Sequence, residues 1–329
     1  MARGLLDLKQ RLPRSGELAA GLLSQRRLPL KRAFTLAPVA IILALAWPSA
    51  GRESELSVVP QGPSALALSD WAMSPAATRG RAVYARWCIG CHGEQGLGDG
   101  KASARLSPLP RNFQKGFFKF RSTPSGALPT EADLMRTITN GLPGSSMPSF
   151  ELVPELQRRD AVAYVQYLAG YGIAKLEAEV LRDTEKLSAE AIRATRLPQL
   201  RAVVAQSFAK AQALAVPPEP AMTAESATRG AERYQRECAA CHGKGGVGDG
   251  SASETLRDWQ GAIIRPRDFT SGVFRAGSTN ADLFLRMKTG LNGTPMPSVT
   301  GSDQDLWDLA HHIRSLVTAP AATPAKELK

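Results

Sequence analysis

"CIGCHGEQGLGDG", Cys88 to Gly100, and "CAACHGKGGVGDG", Cys238 to Gly250, are two copies of one thirteen-residue phrase, and all four cysteines of the chain lie inside them. A chain of 329 residues has room for about two domains of roughly 100–200 residues each. A phrase that recurs once therefore points to two modules of one kind. Hydrophobic residues make up 43% and charged residues 22%, the balance of a soluble globular protein rather than a disordered or multi-spanning one.

Four cysteines first invite a disulfide reading, with three ways to pair them. Their placement argues for something else. Cys88-x-x-Cys91-His92 and Cys238-x-x-Cys241-His242 give each pair an adjoining histidine, which a structural bridge does not need. Covalent haem attachment does need it: each thiol adds to one vinyl group of the porphyrin, and the following imidazole falls beneath the iron. Zinc would require a fourth ligand at each site, with only His311 and His312 left as histidines. A thioredoxin-like pair would need a βαβ context that this sequence lacks.

The far side of each iron is supplied by a second repeat. "GLPGSSMPS", Gly141 to Ser149, matches "GLNGTPMPS", Gly290 to Ser298, so Met147 follows Cys88 by 59 residues and Met296 follows Cys238 by 58. A methionine in a Gly/Pro-rich loop has little core to fill, and Pro148 or Pro297 stiffens the loop that presents its sulfur. These two are the expected axial ligands, with loop packing as the alternative. Met135 and Met287 fall inside helical patterns and read as gap-filling core residues. Thioether ligation favours ferrous iron and raises the reduction potential.

With these motifs in view, both halves resemble class I c-type cytochromes, and the whole is similar to a tandem dihaem member; the likeness spans about residues 76–170 and 227–316. It implies an all-α fold of two cytochrome c domains joined by a helical connector. It also implies that an N-terminal helix crosses a C-terminal one at a Gly followed four residues later by an aromatic, here Gly80 and Tyr84, and Gly230 and Tyr234. The local code agrees on helices: "TEAD" at Thr130 to Asp133 and "TNAD" at Thr279 to Asp282 are capping-box starts, closed by Gly141 and Gly290. C-terminal helices are expected over residues 158–171 and 303–317. By resemblance, the carbonyls of Pro110 and Pro266 would accept the Nδ1 protons of His92 and His242. Arg111 and Arg267 are candidate partners for haem propionates, since a guanidinium can hold a carboxylate bidentately; solvated surface arginines are the alternative. Asp99 and Asp249 are read as turn residues, not ligands. His312 should pack against Tyr234, His311 should lie at the surface, and Trp87 and Trp259 are placed either near a haem or in the core.

Residues 76–172 and 221–318 form the two domains. Residues 51–75 are read as an extended segment, 173–220 as a connector of two helices broken near Pro198 and ending in "PPEP", and 319–329 as a mobile tail. Residues 1–50 are a leader. They carry eight Lys/Arg and two Asp/Glu, so most of the formal charge of +11 is theirs and only +5 remains on the rest. "AFTLAPVAIILALAWPSAG", Ala33 to Gly51, is uncharged behind a basic run, as in a secretory signal peptide. Its apolar heart is short of the roughly 20 residues that span a bilayer, and an uncleaved anchor is the alternative. The long preamble before it suggests translation from near Leu28. The protein is thus expected in the periplasm, or anchored to the outer face of the cytoplasmic membrane through residues 33–51, with membrane contact only if that segment is retained.

Two irons with both axial positions filled leave no open site for substrate, so the expectation is outer-sphere electron transfer with redox partner proteins, two covalent haem c groups and no catalytic residues. A role as the haem subunit of a larger, membrane-bound respiratory oxidoreductase is compatible with this. A dihaem peroxidase-like enzyme and a haem-based gas or redox sensor are the alternatives. Nothing in the mature chain supports nucleic-acid binding.

Overall fold

The computed structural model describes residues 64–318. The leader at residues 1–50, the alternative start, and the tail at 319–329 lie outside the described residues. The all-α class holds: among the described residues there are ten α-helices and three short 3₁₀ turns, with two isolated β-bridges and no strand. None of these helices is long and apolar enough to cross a membrane.

In the first half, α1 (Pro75–Trp87) leads into the single turn α2 (Ile89–His92), followed by α3 (Glu131–Asn140) and α4 (Glu155–Glu185). Ser74 caps α1 by accepting from the Ala77 amide, with Pro75 in the first turn where its missing N–H costs nothing. The second half repeats the plan in α7 (Ala224–Glu237), α8 (Ala239–His242), α9 (Asn280–Thr289) and α10 (Asp303–Ser315). Thr130 and Thr279 form the capping boxes read from the sequence, with Asp133 and Asp282 reaching back to the cap amides.

The two helical crossings are built at Gly80 and Gly230, as the resemblance implied. A Cβ on Gly80 would sit 1.8 Å from the Asp160 carbonyl oxygen, and one on Gly230 2.2 Å from that of Asp308. Only a residue without a side chain lets the backbones approach so closely. Arg79 and Arg229 then reach over the same crossings to the carboxylates of Asp160 and Asp308. Tyr84 meets Tyr164 at a tilt of 59° with ring centres 5.0 Å apart, and Tyr234 meets His312 at 52° and 4.9 Å, so His312 packs as expected. Met287 is buried in the second core and Met135 packs against the first.

The connector differs from its sequence reading. Helix α4 does not stop near Tyr171 but continues to Glu185, a length of roughly 46 Å, because Ala174, Ala178 and Leu181 prolong its buried face. It ends at Lys186 in the left-handed region, φ 56°. The connector has two breaks: one at Lys186, and the one expected near Pro198, which falls at Arg196 between the short α5 (Ala189–Thr195) and α6 (Leu197–Ala209), with Pro198 in the first turn of α6. Ile192, Leu200 and Val204 join the core of the first half, so the connector is an outer layer of that half. The described part of residues 51–75 is likewise docked: Ala65 and Leu66 are fully buried, and Tyr171 and Tyr167 donate to the carbonyls of Leu66, Leu68 and Trp71.

Candidate functional site

Each Cys-x-x-Cys-His unit occupies one helical turn. Cys88 closes α1, and its carbonyl accepts from the His92 amide at 2.9 Å; Cys238 closes α7 and does the same for His242 at 2.9 Å. Both cysteines and the histidine of each unit therefore share a turn. Tyr84 and Tyr234 fix the turn from below, donating to the carbonyls of Gly93 and Gly243 at 2.7 and 2.8 Å. All four thiols are free and partly buried. Burial pushes Cys88 up to about 11, and burial with Glu237 and Cys241 nearby does the same for Cys238, Arg233 opposing.

The His92 ring stacks on Phe113 at 4.6 Å and the His242 ring on Phe269 at 4.5 Å. Nδ1 of His92 donates to the carbonyl of Arg111 at 3.0 Å, and Nδ1 of His242 approaches that of Arg267 at 3.5 Å. The expectation for Pro110 and Pro266 is therefore corrected by one residue. Phe113 and Phe269 are anchored by amide bonds to the carbonyls of Gly96 and Gly246, each 2.7 Å. That register brings the arginine carbonyl to the ring, while the carbonyls of Pro110 and Pro266 face Gly98 and Gly248. Since a carbonyl only accepts, Nδ1 carries the proton and Nε2 keeps its lone pair. Burial is the main influence on both rings and lowers their pKa.

The methionine loops are copies in three dimensions. The Leu142 amide donates to the Met147 carbonyl and the Leu291 amide to that of Met296, each at 3.0 Å. The Met147 and Met296 amides are held by Ser145 Oγ and Thr294 Oγ1, both at 3.3 Å. Gly141 and Gly290 both take φ 63° at the ends of α3 and α9 and lie against the backbone of Pro148 and Pro297. Asp99 and Asp249 face Gly93 and Gly243 inside their own loops.

Arg111 and Arg267 are brought to the place where the halves meet. The Arg267 guanidinium lies against Gly144 of the first methionine loop, and Nη1 of Arg111 lies beside Gly293 of the second. Burial lowers the pKa of both, Arg111 to about 10. Two cavities of about 680 and 210 Å³ open along this interface, one lined in part by Phe117 and Gly293, the other by Gly141 and Arg275. His311 departs from its reading: it is buried, 7% exposed, with Nε2 at 2.8 Å from Glu219, because the proline-rich linker folds back over α10. Trp87 is 45% exposed under Arg86, so it is no core residue. Trp259 meets Phe117 edge-on at 5.7 Å across the interface. The sequence reading missed Lys119 and Arg275, although each lies eight residues after the arginine of its half and the repeat could have shown them.

A family model described as cytochrome c oxidase, cbb3-type, subunit III matches residues 75–168, and one described as cytochrome c matches residues 227–317. A chain of the Kuenenia stuttgartiensis reducing HAO-like protein complex superposes with a TM-score of 0.59 at 34% identity, over 75% of this chain and 97% of that one. The chain belongs to the class I c-type cytochromes, as a tandem dihaem member. A comparison of the cytochrome with curated proteins found no match. Its donor set fits haem c in both halves: two free thiols on one turn with a histidine whose Nε2 is available. Buried polar atoms of Arg267, Arg275 and Trp259 that find no partner among the described residues fit the carboxylates of such a group.

Proposed function

We propose that this cytochrome is an exported electron carrier in which Cys88 and Cys91 attach one haem held by His92 and Met147, and Cys238 and Cys241 attach a second held by His242 and Met296. The observation that carries the reading is the duplication of the whole donor arrangement: the same helical turn, the same histidine-to-carbonyl bond and the same braced methionine loop in both halves. Haem iron supplies a one-electron couple when bound. The protein's part is to hold it still. Each Nδ1–H bond fixes the tautomer and makes the ring a stronger donor through Nε2. Each loop, tied at both its carbonyl and its amide, presents sulfur without reorganisation, which keeps the cost of changing charge small.

The partner is proposed to be a redox protein or a larger oxidoreductase, a reading supported by the description of the similar chain as part of a reducing HAO-like complex. Residues 33–51 behind their basic run support export, with the protein in the periplasm or tethered to the membrane's outer face. No residue is proposed as catalytic, because Met147 and Met296, as ligands, would occupy the positions that an exogenous ligand needs.

Optical titration of the purified protein tests this. The reading predicts a sulfur-to-iron charge-transfer band in the ferric form that falls by about half in Met147→Ala or Met296→Ala, and ferrous protein inert to CO. Rapid CO binding to the wild-type protein at either haem would overturn the carrier reading in favour of a peroxidase-like enzyme or a sensor.

A further inference from the structure

Where the two halves meet, cations gather without ion-pair partners among the described residues. Arg111 and Lys119 come from the first half, and Arg267 and Arg275 occupy the equivalent positions of the second. All four are partly buried. Lys119 is depressed to about 8 by burial, then by Arg111 and Arg275, with Asp258 opposing; Arg275 is lowered to about 10 by burial and by Arg267. Among the described residues none of the four has a carboxylate within ion-pair distance. The acids nearby are already engaged: Asp258 accepts the amides of Gln260 and Ala262, and Asp268 the amide and hydroxyl of Thr270.

The donors are also unfinished. Nη2 of Arg267, Nε of Arg275 and Nε1 of Trp259 are buried and without a hydrogen-bond partner. Arg275 reaches across to the Gly144 carbonyl at 3.1 Å through a different nitrogen, so its Nε is left over. Trp259 belongs to the stretch present only in the second half, yet it lies against Gly293 and Phe117 beside Arg111. Buried cations and unpaired N–H groups are costly unless an anion completes them, and a guanidinium, an ammonium and an indole N–H are all carboxylate donors. Two haem c groups bring four propionates, which matches the four cations one for one.

We propose that the interdomain cleft is a composite propionate site in which Arg111, Lys119, Arg267, Arg275 and Trp259 receive the propionates of both haems, so that each haem is held in part by the opposite half. This rests on the dihaem reading above. It implies that the halves are joined through their cofactors as well as through protein contacts, and that a charge removed from one half is felt by the haem of the other.

The test uses the holoprotein. Lys119→Gln, Arg275→Gln and Trp259→Phe are compared with wild type and with the remote surface control Arg201→Gln. The midpoint of each haem is followed separately through the shifted NMR methyl signals of Met147 and Met296 in partly reduced samples, and the propionate bending bands by resonance Raman. Haem content and the charge-transfer band should stay at two haems per chain; their loss in wild type would fail the dihaem reading itself. The composite site predicts that Lys119→Gln and Arg275→Gln each make both haems harder to reduce, by roughly three- to tenfold in the equilibrium constant. It also predicts that Trp259→Phe, which changes no charge, shifts a propionate band. Should a glutamine variant fail to load haem, Lys119→Arg and Arg275→Lys take its place, with retained midpoints and displaced propionate bands expected. Midpoint changes confined to the mutated half, or charge-dependent midpoints with propionate bands unmoved in every variant, would overturn the proposal.

Discussion

Arg121 is fully buried, and it ties the first half to the second half's methionine loop. Its Nη2 donates to the Thr289 carbonyl at 2.7 Å and its Nε to Pro124 at 3.2 Å, while Nη1 makes longer contacts of 3.4 Å to Phe118 and Gly290. Thr289 and Gly290 are the last turn of α9 and the start of the loop that carries Met296, so the guanidinium caps the negative end of that helix from the other half. Arg286 reciprocates, donating to the carbonyl of Arg121 at 3.2 Å. Burial lowers Arg121 to about 10, which corresponds to about 3 kcal/mol spent on desolvating the charge. Replacing it by Met returns that amount. It also forfeits two good charge-assisted hydrogen bonds, worth about 1.5–3 kcal/mol each, and strands the Thr289 carbonyl at a cost of about 1–3 kcal/mol. The net expectation is a loss of about 1–6 kcal/mol for Arg121→Met, and about 2 kcal/mol more for Arg121→Ala, which adds a cavity. Denaturant unfolding of the holoprotein reads this out, with the sulfur–iron band as probe, and the second half's band should be lost first although the mutation lies in the first half. A change below about 0.5 kcal/mol in Arg121→Ala, or earlier loss of the first half's band, would refute the cross-domain cap.

The crossings offer a second test: Gly80→Ala forces a carbon to 1.8 Å from a backbone oxygen and Gly230→Ala to 2.2 Å, so both should cost at least about 1–3 kcal/mol in thermal or denaturant unfolding. Gly80→Ala should be the worse, and equal tolerance at both sites would contradict the geometry. Tyr84→Phe removes a buried hydroxyl that donates to Gly93 at 2.7 Å while the Gly96 amide still donates to the same carbonyl at 3.2 Å, so it should lose about 0.5–1.5 kcal/mol; an unchanged midpoint counts against it. Asn280 and then His311 hold the Glu219 carboxyl below its usual pKa of 4.5, so the linker's anchorage is complete above that value and is lost as pH falls through the lowered one. The Asn280 side-chain amide signal in an NMR pH titration should therefore move as the Glu219 carboxyl is protonated in acid, and a signal that stays put through that range would argue against this anchor.

Much of the fold could be read because duplication let one half check the other. The Gly80–Tyr84 and Gly230–Tyr234 spacings, and the capping boxes at Thr130 and Thr279, are local signals that agree twice, and the structure places them as read. The break near Pro198 was legible and falls at Arg196, but the further break at Lys186 was not, because a left-handed cap on a lysine has no sequence signature comparable to a proline. The histidine acceptor was displaced from Pro110 to Arg111 because the choice depends on where Phe113 anchors, and a one-residue register is a tertiary property. His311 was taken for a surface residue because its partner Glu219 lies 92 residues earlier. The interface was hidden for the same reason. Arg121 meets Thr289 across 168 residues, and neither residue belongs to a repeated motif.

Intact mass spectrometry of the purified mature protein under denaturing conditions reaches the central claim most directly. The account predicts a chain carrying two covalent haem adducts, one of which disappears when Cys88 and Cys91 are replaced by Ala and the other when Cys238 and Cys241 are. A wild-type chain carrying one adduct or none would contradict it.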